Sequence, residues 1–76
     1  MIVKTFGITR EIIGKSEISL DGIASVKELR EYLSSNFSEI KKLNSLAIAI
    51  NEIYATDEDA IKETDVVALI PPVSGG

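Results

Sequence analysis

Ser25-Val26-Lys27-Glu28-Leu29-Arg30-Glu31-Tyr32-Leu33-Ser34-Ser35-Asn36-Phe37 is the stretch on which the fold turns. Ser25 and Glu28 have the spacing of a capping box: the Ser25 hydroxyl accepts from the amide three residues on, and the Glu28 carboxylate reaches back to the Ser25 N–H. Such a cap contributes about 1 kcal/mol. Val26, Leu29, Leu33 and Phe37 then recur at spacings of three and four, which makes one apolar stripe with Tyr32 at its edge. Ser34-Ser35-Asn36 lowers helical propensity and ends the run. A single long helix with a single apolar face is therefore expected, and the flanking residues supply what covers it.

Upstream, Ile2 to Phe6 is β-branched and aromatic, with Ile2, Lys4 and Phe6 alternating with Val3 and Thr5, so it reads as a strand. Gly7 breaks it. Thr9-Arg10-Glu11-Ile12-Ile13-Gly14 is a short helical connector closed by a glycine, and Glu17-Ile18-Ser19-Leu20 is a second strand that turns at Asp21-Gly22. The two strands can pair as a hairpin with a wide loop. Downstream, Leu46-Ala47-Ile48-Ala49-Ile50 is an apolar run too short for an independent helix, which suits a strand buried on both faces. Asn51-Glu52 is a turn, Ile53-Tyr54-Ala55 a short return strand, Asp57-Glu58-Asp59-Ala60 a polar loop and Ile61 a buried anchor. Val66 to Ile70 is the last strand, stopped by Pro71-Pro72. The order β-β-α-β-(β)-β gives an α+β domain over residues 1–76. Its mixed sheet has four to five strands, the first and last as central neighbours, and the helix lies across one face: the β-grasp, or ubiquitin-like, arrangement. Periodicity supports the layers and leaves the strand order open.

Composition removes several kinds of chemistry. The 76 residues include no cysteine and no histidine, so the chain lacks a thiol nucleophile, a disulfide and the commonest general base and metal ligand. The formal net charge of −4 disfavours nucleic acid, whose backbone is held by clustered Lys and Arg. Lys41-Lys42 is too short a basic run to change that. The first residues carry no basic segment followed by a long apolar one, and no stretch approaches the length of a membrane span, so no membrane association and a cytoplasmic location are expected. Asp57-Glu58-Asp59 lacks the glycine and distal glutamate of a calcium loop, so a solvated loop and no metal site are expected. Arg10 and Glu11 are adjacent, suited to a surface ion pair of little energetic weight or to a partner contact.

From Val66 onward no side chain is ionisable: Val66-Val67-Ala68-Leu69-Ile70-Pro71-Pro72-Val73-Ser74-Gly75-Gly76. Residues 71–76 are expected to form a flexible tail that is stiffened at its root, since two prolines fix two φ angles and favour polyproline II. Six extended residues reach roughly 20 Å, and the terminal glycines keep the tip narrow. A terminal Gly-Gly alone carries little information. Behind a patterned strand and a double proline it is specific.

This C-terminal segment resembles the signature of the small subunit of molybdopterin synthase, the MoaD family. The resemblance extends over Arg10-Glu11-Ile12-Ile13-Gly14, the helix from Ser25, and Ile50-Asn51-Glu52-Ile53-Tyr54, and so over essentially the whole chain. Thr64-Asp65, where the family often has Gly-Asp, and Gly7 are the visible departures, and both lie in connections. The resemblance implies a sulfur carrier that is a non-catalytic subunit, with catalytic residues on the large subunit. Its working group is the Gly76 carboxylate, adenylated with ATP by an E1-like adenylyltransferase and then thiocarboxylated from a sulfur donor protein. Pro71, Pro72, Val73, Ser74 and Gly75 insert the tail into the large subunit, in a heterotetramer of two small and two large subunits. There the sulfur passes to cyclic pyranopterin monophosphate. ATP belongs to the activating enzyme, and no cofactor is expected on the chain itself. Phe6, Leu69 and Ile70 are the candidates for an apolar docking patch; Leu69 and Ile70 point to opposite faces, so one of them belongs to the core. A ThiS-like carrier for thiazole synthesis and a ubiquitin-like modifier joined to target lysines through Gly76 are the alternatives.

Overall fold

The apolar stripe of the long helix closes onto a five-stranded sheet. The computed structural model describes residues 1–43 and 45–72. In chain order these form β1 (Ile2–Thr5), α1 (Ile8–Ile13), β2 (Glu17–Ser19), α2 (Val26–Asn36), a 3₁₀ helix (Ser38–Lys42), β3 (Ala47–Ile50), β4 (Ile53–Ala55) and β5 (Val66–Ile70). The strand order is β2-β1-β5-β3-β4. β1 and β5 run parallel with Val3 opposite Val67, and every other neighbouring pair is antiparallel: Val3 faces Ile18, Ile48 faces Leu69 and Ala49 faces Tyr54. The last strand therefore sits in the middle of the sheet.

Alternation along the strands sorts the residues. Val3, Ile48, Val67 and Leu69 point to one face and are buried together with Val26, Leu29 and Leu33 of α2. Burying such a side chain fully is worth about 1.5–3 kcal/mol relative to leaving it exposed. Phe37 caps α2, donating its N–H to the Leu33 carbonyl, and packs half-buried against the same core. Ile61 is buried as expected. Met1 and, from the 3₁₀ helix, Ile40 join the core as well.

The start of α2 differs in detail from a capping box. Ser25 Oγ accepts from the Glu28 N–H at 3.2 Å, but the Glu28 carboxylate accepts from the Ala24 N–H at 3.3 Å rather than from that of Ser25. Ser25 itself lies extended and forms an antiparallel bridge with Ala60. The adjoining loop also supplies acceptors to the first turn: Val26 N–H donates to the Asp59 carbonyl at 3.0 Å and Lys27 N–H to that of Asp57 at 3.1 Å. These amides have no partner within the helix, so the loop satisfies them. Arg30 closes the contact with an ion pair to Asp57 at 2.8 Å.

At the opposite corner, Asn51 and Glu52 turn β3 into β4 with φ of 49° and 70°, the geometry of a two-residue hairpin with both central residues left-handed. Asn51 suits this conformation and also ties the turn to β5. Its amide oxygen accepts from the Val66 N–H at 3.0 Å, and its amide nitrogen donates to Asp65 at 2.9 Å. Asp65 also accepts the Lys62 N–H at 2.8 Å. That backbone bond, followed by the one from Asn51, lowers the Asp65 carboxyl below its ordinary value. Among the described residues no helix is long and apolar enough to cross a membrane.

Candidate functional site

The face of the sheet turned away from α2 has no covering layer among the described residues. Ile2, Lys4 and Phe6 of the first strand and its end, Val66, Ala68 and Ile70 of β5, Ala49 of β3 and Tyr54 of β4 project there by strand alternation. Lys4, Ala68, Ala49 and Tyr54 form one row across the register. Alanine at its two middle positions makes a shallow floor, and larger side chains stand around it: Phe6 is 43% exposed and Tyr54 71% exposed. The result is an open groove of about 360 Å³ lined by Phe6, Ala49, Glu52, Tyr54, Ala68 and Ile70. Single exposed apolar residues are ordinary; here Ile2, Phe6, Tyr54 and Val66 are exposed on one uncovered sheet face, with Ala68 and Ile70 half-buried among them.

The chain leaves the sheet at one end of this groove. β5 ends at Ile70, and Pro71 and Pro72 follow, both half-buried. Pro71 lies against Gly7: a Cβ built on Gly7 would stand 3.3 Å from Pro71 Cγ, tighter than an ordinary contact. Gly7 also has φ +53°, a conformation that side-chain-bearing residues rarely adopt. Behind this contact lie two buried threonines. The Thr5 hydroxyl donates to the Lys15 carbonyl. The Thr9 hydroxyl donates to the Phe6 carbonyl at 2.6 Å and accepts the Phe6 N–H at 2.8 Å.

The structure sorts the candidate site residues. Phe6 and Ile70 reach the open face. Leu69 does not: it is 0% exposed, lies between Thr5 and Ile48 and belongs to the core, so Ala68 takes the place on the groove that Leu69 was a candidate for. Pro71 and Pro72 sit at the exit from the sheet. Val73, Ser74, Gly75 and Gly76 lie outside the described residues. Arg10 does not pair with Glu11; its guanidinium donates to the Thr5 carbonyl at 3.2 Å, beside the exit, because the turn of α1 carries it back over the end of β1. Among the described residues no cluster of three or more His, Cys, Asp or Glu side chains is placed to hold a metal. Asp57 is held by Arg30, and Asp59 accepts from the Thr56 N–H at 2.8 Å.

Ala49, Ala68 and Thr9 carry no site signal in the sequence, and Tyr54 enters only in the return strand and at the end of the stretch 50–54. Counting back two from Ile70 would have reached Ala68. Nothing local distinguishes Thr9 from a surface threonine.

A helix on a mixed sheet, with its central strand leaving the sheet beside an open apolar groove, defines a ubiquitin-like β-grasp protein. The chain belongs to the ThiS family, whose model matches residues 3–76. It is 36% identical over 75 residues to a molybdopterin synthase sulfur carrier subunit of Haemophilus influenzae, with 93% of each chain covered. It also resembles chains in two solved structures. One is from the complex of subunits 1 and 2 of the molybdopterin-converting factor of Helicobacter pylori, with TM-score 0.69, 30% identity, and 99% of this chain and 96% of that one covered. The other is small archaeal modifier protein 1 of Methanosarcina acetivorans, with TM-score 0.82, 26% identity, and 99% and 94% covered.

Proposed function

We propose that this chain is the sulfur carrier subunit of a molybdopterin synthase. The observation that carries the reading is the joining of two features at one place: an apolar docking groove, and a central strand that leaves the sheet at Pro71 into a segment without ionisable side chains. A docking groove beside the exit lets a partner grip the folded domain while it takes the tail into a narrow pocket. The relatives named as molybdopterin synthase sulfur carriers favour the pterin pathway over the thiazole one.

A carboxylate is a poor electrophile until one oxygen becomes a leaving group. An E1-like adenylyltransferase supplies this by joining the Gly76 carboxylate to AMP from ATP, with release of pyrophosphate. Attack by a hydrosulfide equivalent from a donor protein then expels AMP and leaves a thiocarboxylate. Inside the large subunit the thiocarboxylate sulfur bonds to a side-chain carbon of cyclic pyranopterin monophosphate as an oxygen substituent leaves that carbon. Water then cleaves the acyl–sulfur bond of the resulting thioester, which leaves the sulfur on the pterin and restores the Gly76 carboxylate. The chain needs no base for any of these steps, in keeping with its lack of histidine and cysteine. Its contributions are recognition and placement. Phe6, Ala68, Ile70 and Tyr54 dock on the large subunit, in an assembly of two small and two large subunits.

Intact-mass analysis after incubation with the adenylyltransferase, ATP and a sulfur donor tests the reading. Exchange of one oxygen for sulfur at Gly76 is the expected result. Recovery of the chain only in isopeptide-linked adducts would instead make it a protein modifier, the role named for the Methanosarcina neighbour. Stable association with a thiazole synthase in place of a pterin-binding subunit would move it to the thiazole pathway.

A further inference from the structure

The pairing of β1 with β5 ends with Thr5 opposite Leu69, and the backbone groups of Phe6, next in line to face β5, are held by Thr9 instead. In a parallel ladder, alternate residues of one strand both donate to and accept from the same neighbour. Ile2 N–H donates to the Asp65 carbonyl at 3.2 Å, whereas Thr5 N–H turns the other way, to Ser16 at 3.0 Å. With Ile2 opposite Val66 and Lys4 opposite Ala68, Ile2, Lys4 and then Phe6 are the residues whose backbone groups face β5. The next rung would join the Phe6 N–H to the Leu69 carbonyl, and the Phe6 carbonyl to the N–H of residue 71. Residue 71 is proline and has no N–H to give. Both Phe6 groups are already taken: the N–H donates to Thr9 Oγ, and the carbonyl accepts from the Thr9 hydroxyl and, at 3.1 Å, from the Thr9 N–H. Thr9 is completely buried, so this side chain is fixed in the fold rather than exchanging with water.

We propose that Thr9 is a positioning residue for sulfur delivery: by occupying the backbone of Phe6 it ends the sheet at Ile70 and fixes Pro71 against Gly7 as the point from which the tail departs. The activity half of this inference rests on the carrier reading; the geometric half does not. Thr9→Val keeps the shape of the side chain and removes both of its hydroxyl bonds. The Phe6 N–H is then free to take the Leu69 carbonyl, which draws Phe6 and Gly7 toward β5 and shifts the Pro71 seat. Pro71 is the point from which the chain enters the tail, and a misplacement of about 1 Å in a delivered group costs up to about a hundredfold in rate.

The test uses the full chain as its Gly76 thiocarboxylate, with the large subunit and the pterin substrate. Thr9→Val should lower kcat for sulfur transfer by about tenfold or more, with KM for the carrier within about twofold of wild type, while Thr9→Ser, which restores the hydroxyl, stays near wild type. A folded Thr9→Val chain with wild-type kcat would overturn the proposal, as would equal losses in the Val and Ser variants, since packing and not the hydroxyl would then be responsible. NMR gives a readout that needs no activity: Thr9→Val should gain a hydrogen bond from the Phe6 amide to the Leu69 carbonyl, and a folded variant without it sinks the geometric claim. Should the wild-type chain transfer no sulfur, the carrier reading fails and the amide contact alone decides the role of Thr9. If Thr9→Val does not fold, Gly7→Ala perturbs the same seat with the Thr9 hydroxyl intact; a lowered kcat supports the proposal, and an unchanged one overturns it.

Discussion

The two faces of the one sheet are built from alternate residues of the same strands, yet they are held to different standards. Toward α2, Val3, Val67 and Leu69 are wholly buried and fill the space between the layers. On the other side the chain places alanine at 49 and 68, where a folding core would want bulk, and leaves Phe6 and Tyr54 standing at the margins. One face is finished within the chain. The other is left without a covering layer among the described residues. Neighbours in sequence can therefore carry opposite duties, and Leu69 beside Ala68 and Ile70 is the sharpest instance.

The largest expected effect separates the faces directly. Leu69→Ala should cost about 2–5 kcal/mol of folding stability, measured by denaturant unfolding, because it opens a cavity under α2. A loss below about 1 kcal/mol would mean that the buried face is not the stabilising one. Phe6→Ala is the counterpart on the open face. It should weaken binding to the large subunit by about 2 kcal/mol, roughly thirtyfold by titration calorimetry, while stability changes by about 1 kcal/mol or less. Equal damage to folding and binding would erase the distinction between the faces.

Glu52 sharpens the comparison at the rim of the groove. It holds φ +70°, where an L side chain costs roughly 1–2 kcal/mol. Glu52→Gly should therefore raise the thermal midpoint, with a net gain of about 1 kcal/mol after the greater chain entropy of glycine is subtracted. A lowered midpoint would show that the Glu52 side chain makes a stabilising contact that outweighs the strain.

The smallest effect concerns Asp65, which anchors the hairpin to the start of β5. Its carboxyl is lowered below the ordinary 3.8 by the Lys62 backbone N–H and the Asn51 amide. A group lowered on folding adds stability above its unfolded pKa and loses that contribution as pH falls through the folded value. Asp65→Asn should thus be slightly less stable than wild type at neutral pH, with the difference vanishing in acid. A difference that grows on acidification would assign the opposite sign to the interaction.

Much of this was legible beforehand because the signals were periodic. The stripe Val26, Leu29, Leu33 and Phe37 located α2 and its buried side, and the alternation around Val3 and Leu69 located the sheet. The 3₁₀ helix was not legible: Ser38-Glu39-Ile40-Lys41-Lys42 contains one apolar residue and so has no period, although Ile40 is buried. Thr5 and Thr9 escaped for another reason. A hydroxyl is buried only when its partners are in place, and those partners, the Lys15 and Phe6 carbonyls, are brought into position by the path of α1. The floor of the groove was hidden because alanine at 49 and 68 signals nothing until the register places them side by side.

The central position of β5 has a consequence for how the protein is made. β1 waits for a partner from the far end of the chain, and so does the β3–β4 hairpin. A nascent chain that has not yet released Val66 to Ile70 from the ribosome holds two hairpins with an open gap between them. Contacts so distant in sequence form late and set the pace of folding. A chain interrupted before Val66 lacks the strand that joins the two hairpins, and Val3, Ile48 and the apolar stripe of α2 are left without Val67 and Leu69 to pack against.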